Sequence, residues 1–181
     1  MKAFIFAAGK GTRLKPFTDK HPKALAKVNN ITLLERNIKF LQSFGINDFI
    51  INIHHFGEQI VDFLKENNNF GAKIEISDES EELLETGGAL VFAKKLLEQE
   101  EHFLIMNADI LTNLNISDFI DFHLKSNNLV TLAVSNRKSS RKLLFDSAMT
   151  LQGWRNEKTG EEIFGNTYKN LKPLAFSGIH C

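Results

Sequence analysis

The chain opens on an apolar run, Met1 to Ala8, with neither the alternation of a half-exposed strand nor helical spacing. Such a run suits a strand covered on both faces, as in a parallel sheet. In ITLLERNIKFLQSFG, Leu34, Ile38, Leu41 and Phe44 recur at helical spacing, and Gly45 offers a C-cap. The pattern then switches repeatedly. DFIINIHH reads as a strand, GEQIVDFLKENN as a helix with Ile60, Phe63 and Leu64 on one face, and AKIEIS as an alternating strand. SDESEELLETGG is polar and acidic and reads as a loop, with the run Asp78–Glu82 as solvated surface. GALVFAKKLLEQ reads as a helix starting at the glycine pair, and HFLIMNAD as a buried strand. SDFIDFHLKSN reads as a helix with Ser117 as N-cap, and LVTLAVS as a strand.

Strands alternating with helices in this rhythm predict βαβ units joined by right-handed crossovers. The expected architecture is α/β: a three-layer αβα, Rossmann-like fold with a mixed, mostly parallel sheet. After Ser135 the rhythm changes. NRKSSRKLLFD, MTLQGWRNEKTGEEI and LKPLAFSGIH look like hairpin segments, with EKTGEE as a turn, so the C-terminal part is expected to be rich in β-hairpins. A single catalytic domain over residues 1–181 is expected. Its ending on FSGIHC, in or just after a strand, suggests a domain truncated at its C-terminal end.

Composition narrows the chemistry. The 181 residues carry 22 Lys and Arg against 22 Asp and Glu, so no global field favours nucleic acid or an acidic membrane. Any polyanion site must be local. The one cysteine, Cys181, has no intrachain partner, which excludes a disulfide framework and points to a reducing, cytoplasmic setting. No run is long and apolar enough to span a bilayer, and FIFAA is too short for a signal peptide.

The local exception is FAAGKGTRLKPFTDKHPKAL, which follows the first strand. Long ordered loops in compact domains are usually functional. Gly9 and Gly11 let the backbone turn and approach a ligand. Successive N–H groups can form an anion-binding nest. Lys10, Arg13, Lys15, Lys20 and Lys23 add charge, and Pro16 and Pro22 stiffen the segment. A dinucleotide fingerprint is excluded because Leu14 stands where the third glycine is required, and a Walker A loop because Gly9 and Gly11 are too close. Two readings remain at this point: a phosphate-binding loop of another type, which the glycines and the charge favour, and a basic solvated loop whose glycines serve its turns.

Two more segments carry candidate chemistry. LETGGAL places Gly87 and Gly88 at a helix start, where a flat base or sugar could approach. FLIMNADIL brings Asn107 and Asp109 to the carboxyl end of a buried strand, where ligands of open α/β sheets bind. A carboxylate there can hold Mg²⁺ together with phosphates and waters, although a lone Asp at a strand end is otherwise often a cap. His54 and His55 are adjacent on a strand and point to opposite faces, so structural roles are expected.

AAGKGTRLKPFTDKHPKAL resembles the signature of sugar-1-phosphate nucleotidyltransferases, G-x-G-T-R-L-x-P-x-T-x-x-x-P-K. The match falls on Gly9, Gly11, Thr12, Arg13, Leu14, Pro16, Thr18, Pro22 and Lys23. LETGG resembles the branch acting on N-acetylmuramate 1-phosphate with UTP, near the mannose-1-phosphate guanylyltransferases. The resemblance implies transfer of a nucleoside monophosphate from an NTP, with UTP favoured, to a sugar 1-phosphate. Arg13 then meets the departing pyrophosphate, Lys23 the reacting phosphates, and Asp109 the Mg²⁺ cofactor. Ala7, Ala8, Gly9, Lys10, Gly11, Thr12 and Arg13, with Gly87 and Gly88, would bind the nucleotide. Asn107 and Gly178 would meet the sugar phosphate.

Leu111 excludes the D-x-D of enzymes that spend nucleotide sugars. Two departures from the family pattern stand out. Trp154 and Arg155 replace a frequent Glu-Lys pair, and the chain ends before a second metal-ligating Asp or Asn can be matched. Two other readings are carried: a cytidylyltransferase acting on phosphocholine or a similar alcohol phosphate, and a non-catalytic nucleotide-sugar-binding regulatory module. The expected partners are an NTP and a sugar 1-phosphate, with no nucleic acid and no membrane; the sequence leaves the oligomeric state open.

Overall fold

A computed structural model describes residues 1–81, 83–165 and 170–181. The chain falls into two compact units, Met1–Val130 with His180–Cys181, and Thr131–Ile179.

In the first unit, β1 (Ala3–Phe6) leads into the basic loop, which is three single turns of 3₁₀ helix at Thr12–Leu14, Phe17–Asp19 and Lys23–Leu25. A small hairpin follows, β2 (Lys27–Val28) and β3 (Ile31–Thr32). Its turn residues Asn29 and Asn30 have φ of 52° and 63°, the left-handed pair that a two-residue hairpin needs. Helix α1 (Leu33–Gln42) starts on Thr32, whose Oγ1 accepts the Glu35 N–H at 3.1 Å. Then come β4 (Asp48–Ile53), α2 (Gly57–Glu66), β5 (Lys73–Asp78), α3 (Glu85–Phe92), α4 (Lys94–Leu97), β6 (Leu104–Asn107) and α5 (Ile116–Lys125).

The four long strands pair in parallel in the order β6-β1-β4-β5. Register explains why the strands are apolar throughout. Phe4 stands opposite Ile50 on one side and Ile105 on the other, and these pack with Ala93 and Leu97 of the α3–α4 segment. The alternate positions Ile5, Ile51 and Met106 are also buried, as are the stripes Leu34, Ile38 and Leu41 of α1 and Ile60 and Leu64 of α2. Both sheet faces are therefore covered, which parallel sheets require.

Several boundaries differ from the sequence reading. Strand β4 ends at Ile53, so His54 and His55 lie beyond it and not on it. Helix α5 is capped by Asn115, whose Oδ1 accepts the Asp118 N–H at 3.2 Å, not by Ser117. The earlier start brings Ile116 into the buried stripe with Phe119 and His123. The helix read from Gly88 begins at Glu85 and breaks at Ala93 into α3 and α4. The segment read as loop is not all solvated. Strand β5 extends to Asp78, and Glu79 beyond it is buried; Glu82 lies outside the described residues.

The second unit is built from β7 (Leu132–Ser135), β8 (Arg141–Phe145), β9 (Leu151–Asn156), β10 (Glu162–Phe164) and β11 (Lys172–His180). Strands β10, β9, β8 and β11 pair antiparallel in that order, and β7 pairs with β11. The predicted hairpins are present, with the turn at 157–161 and Gly160 at φ 73°. On β8 Lys142 is buried, its Nζ donating to the Arg137 carbonyl at 2.7 Å. Trp154 lies on β9 opposite Leu143 and Ile163, and Arg155 pairs with Glu162.

His180 is held below the usual imidazole value of 6.5, at about 4, by burial. His123 is lowered in the same direction, by burial and then by His102. A histidine with a depressed folded pKa binds fewer protons folded than unfolded, so its contribution is full above pH 6.5 and is lost as pH falls through 4. Urea unfolding at several pH values between 7 and 4 should show falling stability, with up to about 3 kcal/mol traceable to His180. His180→Gln should flatten that part of the curve.

Candidate active site

The pairing of β1 with its two neighbours ends in one row: Phe6 of β1 pairs with Asn52 of β4 and with Asn107 of β6. The order in which successive strands are added reverses about β1, because β4 lies on one side of it and the later β6 on the other. Ligands of open α/β sheets bind at such a switch point, beyond the carboxyl ends. A cavity of about 470 Å³ opens there. Ala7, Ala8, Gly9, Lys10, Gly11, Thr12, Arg13 and Lys23 line it from the loop, and Asn107 and Asp109 from the end of β6. On the β4 and β5 side the wall is Asn52, Glu79, Leu83, Glu85 and Thr86. Gly87 and Gly88 lie one step further, in the first turn of α3, and do not line it. Gly178 is in the second unit, on β11, at φ 78°.

The loop's glycines do different jobs. Gly11 has φ 62°, and a Cβ there would stand 2.8 Å from both Lys23 Cβ and Thr18 Cγ2. The buried Thr18 donates its hydroxyl to the Gly11 carbonyl at 3.0 Å. Gly11 thus folds the loop onto itself and seats the base of Lys23. Gly9 has nothing within 4 Å of such a Cβ, so its open side faces the space a ligand would use.

Lys23 Nζ is paired with the Asp109 carboxylate. Both side chains are partly exposed, so the pair contributes only about 0–1 kcal/mol to stability. It is readily exchanged for stronger partners such as phosphate oxygens and a cation. Asp109 offers one hard oxygen ligand at the cavity, and among the described residues no cluster of three or more His, Cys, Asp or Glu could hold a metal. That donor set does not suit a cation caged by protein alone. It suits Mg²⁺, which keeps waters and shares one or two carboxylates with substrate phosphates.

Three buried polar residues that the sequence does not single out as candidates organise the cavity, one of them, Glu79, from the run read as solvated surface. Asn37, 2% exposed on α1, donates Nδ2 to the Ala108 carbonyl at 2.9 Å, fixing the backbone just before Asp109. Asn52 and Glu79 are equally buried, at 2% each. Asn52 Oδ1 accepts the Ala7 and Ala8 N–H groups at 2.7 and 3.3 Å, and its Nδ2 donates to Glu79 Oε1 at 2.8 Å. Asn37 and Asn52 were detectable as polar residues inside otherwise apolar, buried patterns. Glu79 was not, because it sits among other acidic residues. Of the two histidines, His54 Nδ1 donates to the Glu79 carbonyl at 2.7 Å, and the His55 ring lies against Phe56, tilted, with ring centroids 4.0 Å apart.

Residues 2–143 match the profile of the nucleotidyl transferase family. The chain belongs to that family. Over 137 residues it is 32% identical to a mannose-1-phosphate guanyltransferase of Gibberella zeae, covering 75% of this chain and 37% of that protein. It is 37% identical over 117 residues to the N-acetylmuramate alpha-1-phosphate uridylyltransferase of Neisseria meningitidis serogroup B, covering 65% and 50%. Over a shorter stretch of 78 residues it is 49% identical to the choline-phosphate cytidylyltransferase of Streptococcus pneumoniae, covering 43% and 33%. The chain thus spans between a third and a half of the length of these curated relatives. The fold matches that of HddC from Yersinia pseudotuberculosis, solved with GMP-PN, at a TM-score of 0.75 and 22% identity, covering 99% of this chain and 75% of that one. No helix among the described residues is long and apolar enough to cross a membrane.

Gly11→Ala should lower stability by about 1–3 kcal/mol, since it combines a left-handed backbone with a clash against Lys23 and Thr18. Gly9→Ala, facing open space, should stay within about 0.5 kcal/mol of the parent. Thermal unfolding of the two variants side by side measures the contrast.

Proposed function

We propose that the chain carries the catalytic centre of a sugar-1-phosphate nucleotidyltransferase that takes its nucleotide from an NTP, with UTP favoured. The observation that carries this reading is the convergence of Arg13, Lys23, Asp109 and the glycine loop on one cavity at the switch point. The UTP preference draws on the uridylyltransferase relative and on LETGG; the guanyltransferase relative bears on the same choice.

A sugar 1-phosphate oxygen attacks the α-phosphorus in line. The new P–O bond forms as the bond from the α-phosphorus to the bridging oxygen breaks, and pyrophosphate leaves with that electron pair. The attacking phosphate is already anionic, so no general base is required. Catalysis here rests on positioning and charge neutralisation. The N–H groups of the loop cradle the triphosphate. Arg13 offers a planar fork to the departing pyrophosphate. Lys23, on leaving Asp109, can hold the oxygens of the reacting phosphates. Asp109 and the nucleotide would hold Mg²⁺, which supplies further neutralisation of phosphate charge. On the family pattern Gly87 and Gly88 are assigned to the nucleotide and Asn107 to the sugar phosphate. A reaction consuming nucleoside triphosphates fits a cytoplasmic setting.

A second reading is transfer from CTP to phosphocholine or a similar alcohol phosphate, favoured by the cytidylyltransferase relative. The cavity chemistry would be the same, and only the acceptor would change. A regulatory nucleotide-binding module is disfavoured, because such a module need not keep Arg13, Lys23 and Asp109 together.

A pyrophosphate-release screen of sugar 1-phosphates and phosphocholine against UTP, GTP, CTP and dTTP decides among these. Turnover is expected with one sugar 1-phosphate and should stop on chelation of Mg²⁺. Arg13→Ala and Asp109→Ala should each reduce it by about a hundredfold or more, with unchanged circular dichroism. Full activity in either variant would remove the assigned role.

A further inference from the structure

The ladder between β1 and β4 ends at Phe6 and Asn52, so the next N–H groups of the chain, on Ala7 and Ala8, need a partner from elsewhere. The Asn52 side chain supplies it, with one oxygen accepting both. An amide side chain has two orientations, and only one does this. Two facing N–H donors require Oδ1, which leaves Nδ2 toward Glu79 Oε1 at 2.8 Å. The flipped orientation would set donors against donors and a carbonyl against a carboxylate.

Glu79 is itself held in place. Its N–H donates to the Ile53 carbonyl at 2.9 Å, and its carbonyl accepts from His54 Nδ1. Its side chain contributes one oxygen to Asn52, while Oε2 is buried with no partner. A carboxylate buried to this degree, among groups that serve the loop rather than a cation, has a positional reason to be there.

We infer that Asn52 and Glu79 form a positioning relay for the nucleotide loop: Glu79 fixes the Asn52 amide, and Asn52 fixes the loop's first two N–H groups. Neither residue is a catalytic group. The relay sets the path of Ala7–Gly11 before nucleotide arrives, so less ordering is needed on binding. This rests on the proposed nucleotidyl transfer for its kinetic consequence but not for its structural one.

The test uses a reciprocal exchange. In Asn52→Asp a carboxylate faces Glu79, and two like charges meet in a buried site. In the double variant Asn52→Asp with Glu79→Gln, the donor and acceptor simply change places. The carboxylate introduced on β4 would still accept both backbone N–H groups, and the amide introduced beyond β5 would donate to its second oxygen. Glu79→Gln alone keeps an acceptor for Asn52, whereas Glu79→Leu keeps none. Two readouts are taken: hydrogen exchange of the Ala7 and Ala8 amides without ligand, and kcat and KM for the NTP.

Asn52→Asp and Glu79→Leu should each speed exchange at Ala7 and Ala8 by about tenfold and raise KM by a similar factor, with kcat little changed. Glu79→Gln and the double variant should lie within about threefold of the parent on both readouts. A double variant no better than Asn52→Asp, or unchanged exchange in Glu79→Leu, overturns the relay. If the parent protein turns over no substrate, nucleotidyl transfer fails, and the exchange measurements still decide the relay.

Discussion

The site depends on one row of the sheet, in which Phe6 pairs with Asn52 on one side and Asn107 on the other. The pairing of these parallel strands ends at a common level and presents their carboxyl ends together. Past that row the ladder can no longer satisfy the backbone of β1, and the chain must find new partners or bind something. It does both. Asn52 takes the first two N–H groups, and the remainder of the loop curls around the cavity.

From that row the polar architecture spreads in two directions. Toward β6, Asn37 of α1 holds the carbonyl of Ala108, and Asp109 follows with Lys23 against it. Toward β5, Asn52 leans on Glu79, which is pinned by Ile53 and His54. The two ends differ in character. The β6 end is partly exposed and held by a weak ion pair, suitable for exchange with phosphate and cation. At the β5 end Asn52 and Glu79 are each 2% exposed, and Asn52 is bonded to the loop's backbone and to Glu79. This contrast separates groups expected to act on substrate from groups that set the path of the backbone.

Family membership and the fold constrain the chemistry without choosing the base or the acceptor. The relatives named above act with different nucleotides, on two sugar phosphates and on choline phosphate. The family match, residues 2–143, covers nearly all of Met1–Val130 and runs on into the second unit, and the residues that line the cavity at the switch point fall within it. The β5 side of the cavity is where the wall differs most from the sequence reading. Leu83, Glu85 and Thr86 line it, and the glycine pair stands behind them in α3.

The strand–helix rhythm, the parallel character of the first sheet, the antiparallel hairpins after Ser135 and the glycine-rich basic loop are legible in spacing and composition. These are local or periodic features: burial on both faces makes a strand apolar throughout, and a dense run such as GKGTRL carries its own turn and charge chemistry. Tertiary structure alone decided which polar residues became buried partners. Glu79 looks like its acidic neighbours until β5 places it beside Asn52. Gly11 reads as space for a ligand until Thr18 and Lys23 fold back onto it. The α5 cap moves from Ser117 to Asn115 because burying Ile116 outweighs the difference between two good caps. In each case the deciding partner is distant in sequence or belongs to the core, and spacing along the chain carries no record of it.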